Sequence, residues 1–247
     1  MKISYTEIKG IYSVKLKIFE PESEIKGFVV GVHGFGGDME SSVISALAER
    51  MSKHGIAVVA FNFAGHGTSE ADRYFNVSNC RMDLQEVFEF AQHRYKNAKI
   101  KAVFATSFGG YITLSSLESL PAETKIVLRA PAVNMAEVFE RVVSEVITVE
   151  EYIRNGSVTL GFERKIDVSA NFYRELKANN ILEKRTERSM LVIHGDCDEL
   201  VFLKDIKSFC EKNPQTQLNI IKGADHRFKK DGELTQILDF TEKYIIG

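Results

Sequence analysis

Cysteine is scarce: the 247 residues hold three, Cys80, Cys197 and Cys210, an odd number at wide spacing. That pattern argues against a disulfide framework and supplies no metal-ligand cluster. Excess charge of either sign is missing too, since 32 Lys and Arg face 34 Asp and Glu for a net charge of −2. With no basic cluster, nucleic acid has no compositional support as a partner. No stretch approaches the ~20 apolar residues of a membrane span. The opening Met1-Lys2-Ile3-Ser4-Tyr5-Thr6-Glu7 lacks the apolar core of a signal peptide. A soluble chain in a reducing, cytoplasmic compartment is the expectation. Internal repeats and low-complexity segments are also absent. No spacing suits three metal ligands, so neither a metal nor another cofactor is expected.

What is present is a regular alternation of strand and helix signals, with a hydrophobic content of 44%. The alternation predicts one α/β domain over 1–247, with a mostly parallel central sheet flanked by helices. Residues 12–20 alternate, Val14, Leu16 and Ile18 against Ser13, Lys15 and Lys17, as in an antiparallel strand with one wet face. Segments 28–32, 57–63, 101–105, 125–128, 190–193 and 218–221 are apolar enough for buried strands. Helical spacing runs through 41–54, 79–95, 108–117, 204–212 and 234–246, and Gly55 is placed to cap the first. Between the strands at 125–128 and 190–193 the rhythm breaks. There, 134–149 reads as a helix, 156–166 as a short hairpin with Val158, Leu160 and Phe162 alternating around Gly161, and 171–178 as a helix.

Ala105-Thr106-Ser107-Phe108-Gly109-Gly110 follows one of these strands and opens a helix. Small residues two before and two after a serine let strand and helix backbones nearly touch, and the tight turn lifts the Ser107 hydroxyl clear of the sheet. A serine hydroxyl needs a base to take its proton, and the base needs an orienting acid. Downstream, one strand ends in His194-Gly195-Asp196-Cys197-Asp198, and the next is followed by Gly223-Ala224-Asp225-His226-Arg227-Phe228. The order is serine, acid, histidine, with acid and base each on a loop after a strand.

That order resembles the α/β-hydrolase superfamily. Two upstream turns strengthen the likeness: His33-Gly34-Phe35-Gly36-Gly37 is similar to the superfamily's oxyanion loop, and Ala64-Gly65-His66-Gly67-Thr68-Ser69 to its Gly-His-Gly-x-Ser turn. The resemblance spans nearly the whole chain. It implies Ser107 as nucleophile and His226 as base. It places the acid at Asp198, with Val201 close behind, leaving Asp196 to support the turn and Glu199 as a remote third choice. It implies an oxyanion hole made by the backbone N–H groups of Phe35 and Phe108. Their rings either wall an acyl pocket or simply pack. Residues 133–188 correspond to the superfamily's cap over the active site; the alternative is a surface elaboration. Two departures stand out: Ala105 occupies a position where glycine is usual, and Asn62 stands where aspartate is frequent.

The remaining polar residues divide more simply. His33, His66 and His194 sit at strand ends, where a ring can bond loop backbone, while His54 and His93 lie on helices. Arg129 closes an otherwise apolar strand; it either recognises a substrate carboxylate or phenol, or is spent internally or turned outward. The resemblance implies a carboxylic ester hydrolase working through an acyl-enzyme on a small-molecule ester. Compact size, the phenylalanine-bearing oxyanion turn and a cap with a hairpin are most similar to bacterial feruloyl or cinnamoyl esterases. Monoacylglycerol lipases and serine aminopeptidases share the pattern; a peptidase needs an acid for the substrate ammonium, for which Glu137, Glu140, Glu145, Glu150 and Glu151 are candidates. A non-catalytic ligand receptor on the same fold is the alternative from another class. Dehalogenases and epoxide hydrolases carry a carboxylate where Ser107 stands.

Overall fold

Strands whose two faces are both covered need apolar residues along their covered length, and the central strands of this chain meet that need. The computed structural model describes residues 1–69, 71–161 and 165–247. In it β1 (Lys2–Lys9), β2 (Ser13–Glu20), β3 (Gly27–Val32), β4 (Ile56–Phe61), β5 (Ile100–Thr106), β6 (Lys125–Arg129), β9 (Met190–Gly195) and β10 (Thr216–Ile221) form one sheet in the order β1-β2-β4-β3-β5-β6-β9-β10. The β1–β2 and β2–β4 pairs are antiparallel; every other pair is parallel. This is the α/β-hydrolase fold.

The period-2 geometry of the strands assigns side chains to two cores. Phe28, Val30 and Val32 point to the face covered by α2 (Val77–Arg94), α3 (Phe108–Ser115) and α7 (Leu203–Lys212). Val29, Val58 and Leu191 point to the face covered by α1 (Ser42–Ser52) and α8 (Glu233–Ile246). Gly55 follows α1 at φ +72°, a conformation that costs glycine little.

The first strand has no counterpart in the sequence reading. Lys2-Ile3-Ser4-Tyr5-Thr6-Glu7-Ile8-Lys9 is an edge strand that buries little, so hydrophobic alternation is not required of it. Between β6 and β9 lie α4 (Met135–Ser144), α5 (Val149–Asn155), the antiparallel pair β7 (Ser157–Leu160) and β8 (Ile166–Ser169), and α6 (Ala170–Ala178). The single helix expected over 134–149 is interrupted after Ser144. Thr148 and Glu151 then form a reciprocal capping box, so a new helix starts at Val149. The hairpin begins where expected, but its second strand extends to Ser169; Phe162, part of the expected alternation, lies outside the described residues. No helix among the described residues is long and apolar enough to cross a membrane.

Candidate active site

The carboxyl ends of the parallel strands open onto loops, and the candidate residues gather there. Ser107 joins β5 to α3 with φ +50° and ψ −114°. Its N–H donates to the Arg129 carbonyl at 3.0 Å, and its carbonyl accepts from Ala132 N–H at 3.1 Å. The small residues around it are a steric requirement. A Cβ on Gly109 would lie 2.4 Å from the His33 carbonyl oxygen, and one on Gly110 would lie 2.7 Å from Pro131 Cβ. Ala105 is fully buried and fits where glycine is usual.

His226 reaches Ser107 from the loop after β10, and its Nε2 lies 3.0 Å from Ser107 Oγ. Its Nδ1 lies 2.7 Å from Asp198 Oδ2, so Nδ1–H donates to the carboxylate and Nε2 is left to accept the serine proton. Asp198 is buried, and its Oδ1 accepts from Leu200 N–H at 2.9 Å and Val201 N–H at 2.7 Å. Burial pushes the Asp198 carboxyl up. The His226 hydrogen bond and charge, together with Val201 N–H and His194, outweigh this and hold it below the usual aspartate value. Asp196 is exposed, and its Oδ1 accepts from Gly223 N–H at 2.5 Å, tying the acid loop to the base loop. Glu199 lies 3.4 Å from the backbone N of His226 and does not reach the ring through any hydrogen bond among the described residues.

The Gly34 turn sits against Ser107: a Cβ on Gly34 would come within 3.3 Å of Ser107 Cβ. His33 shapes this loop. Its Nδ1–H donates to the Gly34 carbonyl at 2.7 Å while Nε2 accepts from Phe63 N–H at 3.2 Å. The backbone N–H groups of Phe35 and Phe108 have no hydrogen-bond partner among the described residues, and Phe108 N–H stands at the positive end of α3. The two rings have different surroundings. Phe108 is fully buried among Phe63, Phe75 and Phe172, whereas Phe35 is half-buried and meets Phe108 edge-to-face. Packing thus accounts for Phe108, while the half-buried Phe35 ring also packs on His66 and Phe75.

Burial also lowers the His33 pKa to about 4, although the Gly34 carbonyl favours its protonated form. Burial lowers the His194 pKa as well. Above pH 6.5 a His33 free in the unfolded chain is neutral, as it is when folded; between about 4 and 6.5 only the unfolded chain binds the proton. Stability is therefore fully present above that window and falls as pH falls through it. His33 contributes roughly 3 kcal/mol of that loss and His194 acts in the same sense. Asp83, whose carboxyl pKa burial raises to about 7, acts in the opposite sense over the same window. The His33 contribution is therefore read by difference: the gap in denaturant midpoint between wild type and His33→Gln should shrink from pH 7 to pH 4.5, and a gap that does not change with pH would contradict the neutral, doubly bonded His33.

Three non-glycine residues have positive φ among the described residues: Ser107, Ala130 at +45° and Phe228 at +54°. Ser107 itself, Ala130 beside the Arg129 carbonyl that accepts the Ser107 N–H, and Phe228 two residues after His226 lie together, where strain is tolerated when surrounding bonds over-determine the backbone. Sequence reading found only the first. Asp225 carried a signal for Phe228, because its Oδ1 accepts from the N–H groups of Arg227 and Phe228 at 2.9 and 2.7 Å. Asn62, where aspartate is frequent, has a structural role: its Oδ1 accepts Met39 N–H at 2.7 Å, fastening the stretch beyond the His33–Gly37 loop. Arg129 is buried, with Nη2 donating to the Arg227 carbonyl at 2.7 Å, so its donor faces the base loop. That geometry commits one guanidinium donor to the protein itself. Of the cap glutamates, Glu140 accepts from Tyr173 and Lys177, and Glu151 belongs to the capping box. No cluster of three or more His, Cys, Asp or Glu suited to a metal exists among the described residues.

Comparison with known proteins agrees with this architecture. A model of the family described as serine aminopeptidase, S33, matches residues 23–170. Est1E from Butyrivibrio proteoclasticus, solved with ferulic acid bound, superposes with a TM-score of 0.82 at 17% identity, over 98% of this chain and 100% of that one. Mouse alpha/beta hydrolase domain-containing protein 10 gives 0.77 at 16% identity, over 100% and 99%. An alpha-beta serine hydrolase homologue from Coxiella burnetii gives 0.68 at 21% identity, over 98% and 97%. At these identities the likeness is one of fold. No curated protein matches the sequence.

Proposed function

Because the chain belongs to the serine aminopeptidase S33 family of α/β-hydrolases, we propose that it is a serine carboxylic ester hydrolase. The observation that carries this reading is the line Ser107 Oγ, His226 Nε2, His226 Nδ1, Asp198 Oδ2, with separations of 3.0 and 2.7 Å across its two hydrogen bonds. His226 takes the Ser107 proton as Oγ attacks the ester carbonyl, and Asp198 holds the imidazole in the tautomer that can accept it. Phe35 N–H and Phe108 N–H stabilise the oxyanion. His226 then protonates the departing alkoxide, leaving an acyl-enzyme on Ser107. Water, deprotonated by His226, releases the acid and restores the serine.

Residues 133–188 act as a cap on a single domain. Phe172 of α6 packs on Phe75 and Phe108, and Arg141 of α4 donates to the Leu200 carbonyl on the acid loop. The cap thus touches both the nucleophile's helix and the acid loop. The substrate is a small ester, and the half-buried Phe35 ring, packed edge-to-face on Phe108 at the start of α3, favours an aromatic acyl group of the feruloyl or cinnamoyl class. The family's own description makes peptide hydrolysis the second reading.

A panel of p-nitrophenyl acetate, butyrate and octanoate, methyl ferulate and an amino-acid arylamide tests this with the wild type and Ser107→Ala. We expect turnover of methyl ferulate and the short esters, abolished by the substitution, and none of the arylamide. Arylamide cleavage without ester cleavage would make the protein a peptidase. Absence of Ser107-dependent turnover on every substrate would favour a ligand receptor.

A further inference from the structure

Arg129 holds two partners of the site at once. Its backbone carbonyl accepts the Ser107 N–H at 3.0 Å, and its Nη2 donates to the carbonyl of Arg227, the neighbour of His226, at 2.7 Å. Its guanidinium carbon also lies 4.7 Å from the centroid of the Phe228 ring, in the residue whose φ of +54° turns the base loop. One residue at the end of β6 therefore spans the gap between the β5–α3 elbow and the loop after β10, which are 119 residues apart in the chain at Ser107 and His226.

The charge is unusual as well. The side chain is buried, its Nε has no hydrogen-bond partner, and it makes no ion pair among the described residues. A buried guanidinium with only a carbonyl and an aromatic face is a costly arrangement for stability alone. Burial lowers its pKa to about 10, opposed by the more distant Asp198 and Asp225, so it stays cationic at neutral pH.

We infer that Arg129 is a positioning residue that registers the nucleophile against the general base. The inference rests on the roles of Ser107 and His226 given above. Its carbonyl fixes the Ser107 backbone while its guanidinium fixes the Arg227 carbonyl and the Phe228 ring, so the two loops that carry the reacting groups share one anchor.

The test is the rate of Ser107 phosphonylation by a fluorophosphonate, in which Oγ–P forms, fluoride leaves and the serine proton passes to His226. Wild type, Arg129→Met and Arg129→Lys are compared. We expect Arg129→Met to react about 30-fold more slowly, as expected for a misaligned attack. Arg129→Lys keeps a donor for the Arg227 carbonyl but loses the planar fork, so its rate should fall only several-fold. An Arg129→Met rate within twofold of wild type, or no recovery in Arg129→Lys relative to Arg129→Met, would overturn the inference. So would loss of a cooperative melt in both variants, because Arg129 would then serve the fold alone. A wild type that labels at Ser107 but turns over no ester would sink the esterase reading and leave this one standing.

Discussion

Ser107→Ala should lower kcat on the best ester by on the order of 10⁶-fold, while KM changes little. Alanine removes only Oγ, whose partner among the described residues is His226 Nε2. The backbone of the turn, held by Arg129 and Ala132, has no need of that oxygen. Alanine is about as strained as serine at φ +50°, so the thermal midpoint should stay close to that of the wild type. What survives is polarisation of the carbonyl by the Phe35 and Phe108 N–H groups, which leaves a residual acceleration of roughly 10³–10⁴ over water. A variant retaining more than a hundredth of wild-type kcat would remove Ser107 from the nucleophile's role.

Asp198→Asn should cost about 10⁴-fold in kcat, and Asp196→Asn less than about tenfold. The two residues share a loop, yet their oxygens face different groups. Asp198 Oδ1 is committed to the Leu200 and Val201 N–H groups, so an asparagine keeps its carbonyl oxygen there and turns its NH₂ toward His226 Nδ1. Donation to Nδ1 stabilises the tautomer with the proton on Nε2, which can no longer accept from Ser107. Asp196 has an amide N–H of Gly223 to satisfy, and an asparagine oxygen does that equally well. Comparing kcat for both variants on the same ester decides the matter: the reverse ranking would transfer the acid's role to Asp196.

The limits of the sequence are visible in these residues. Asp196 and Asp198 are equivalent by composition and position, and the likeness to the hydrolase superfamily favoured one of them. Their difference in space is a 2.7 Å contact to a histidine 28 residues away. Arg129 was ambiguous for the same reason: a buried guanidinium needs acceptors, and its carbonyl lies 98 residues further along the chain. The break between α4 and α5 was legible in principle, since Thr148 and Glu151 form a local capping pattern; it was hidden by the apolar spacing on both sides.

By itself the sequence determined what local chemistry dictates. Strands buried on both faces are apolar where they are covered, as β3 and β4 are throughout and β5 and β6 are over 102–105 and 126–128, and a serine between small residues must turn sharply where strand meets helix. The placement of Ser107 after β5, Asp198 after β9 and His226 after β10 is readable from the apolar runs that precede them. The tertiary structure alone decided which carboxylate meets the imidazole, where Arg129 points, and that Ala130 and Phe228 take left-handed backbone beside the site. Each of those outcomes depends on partners brought together by the closing of the sheet, and no local propensity encodes the identity of a partner a hundred residues away.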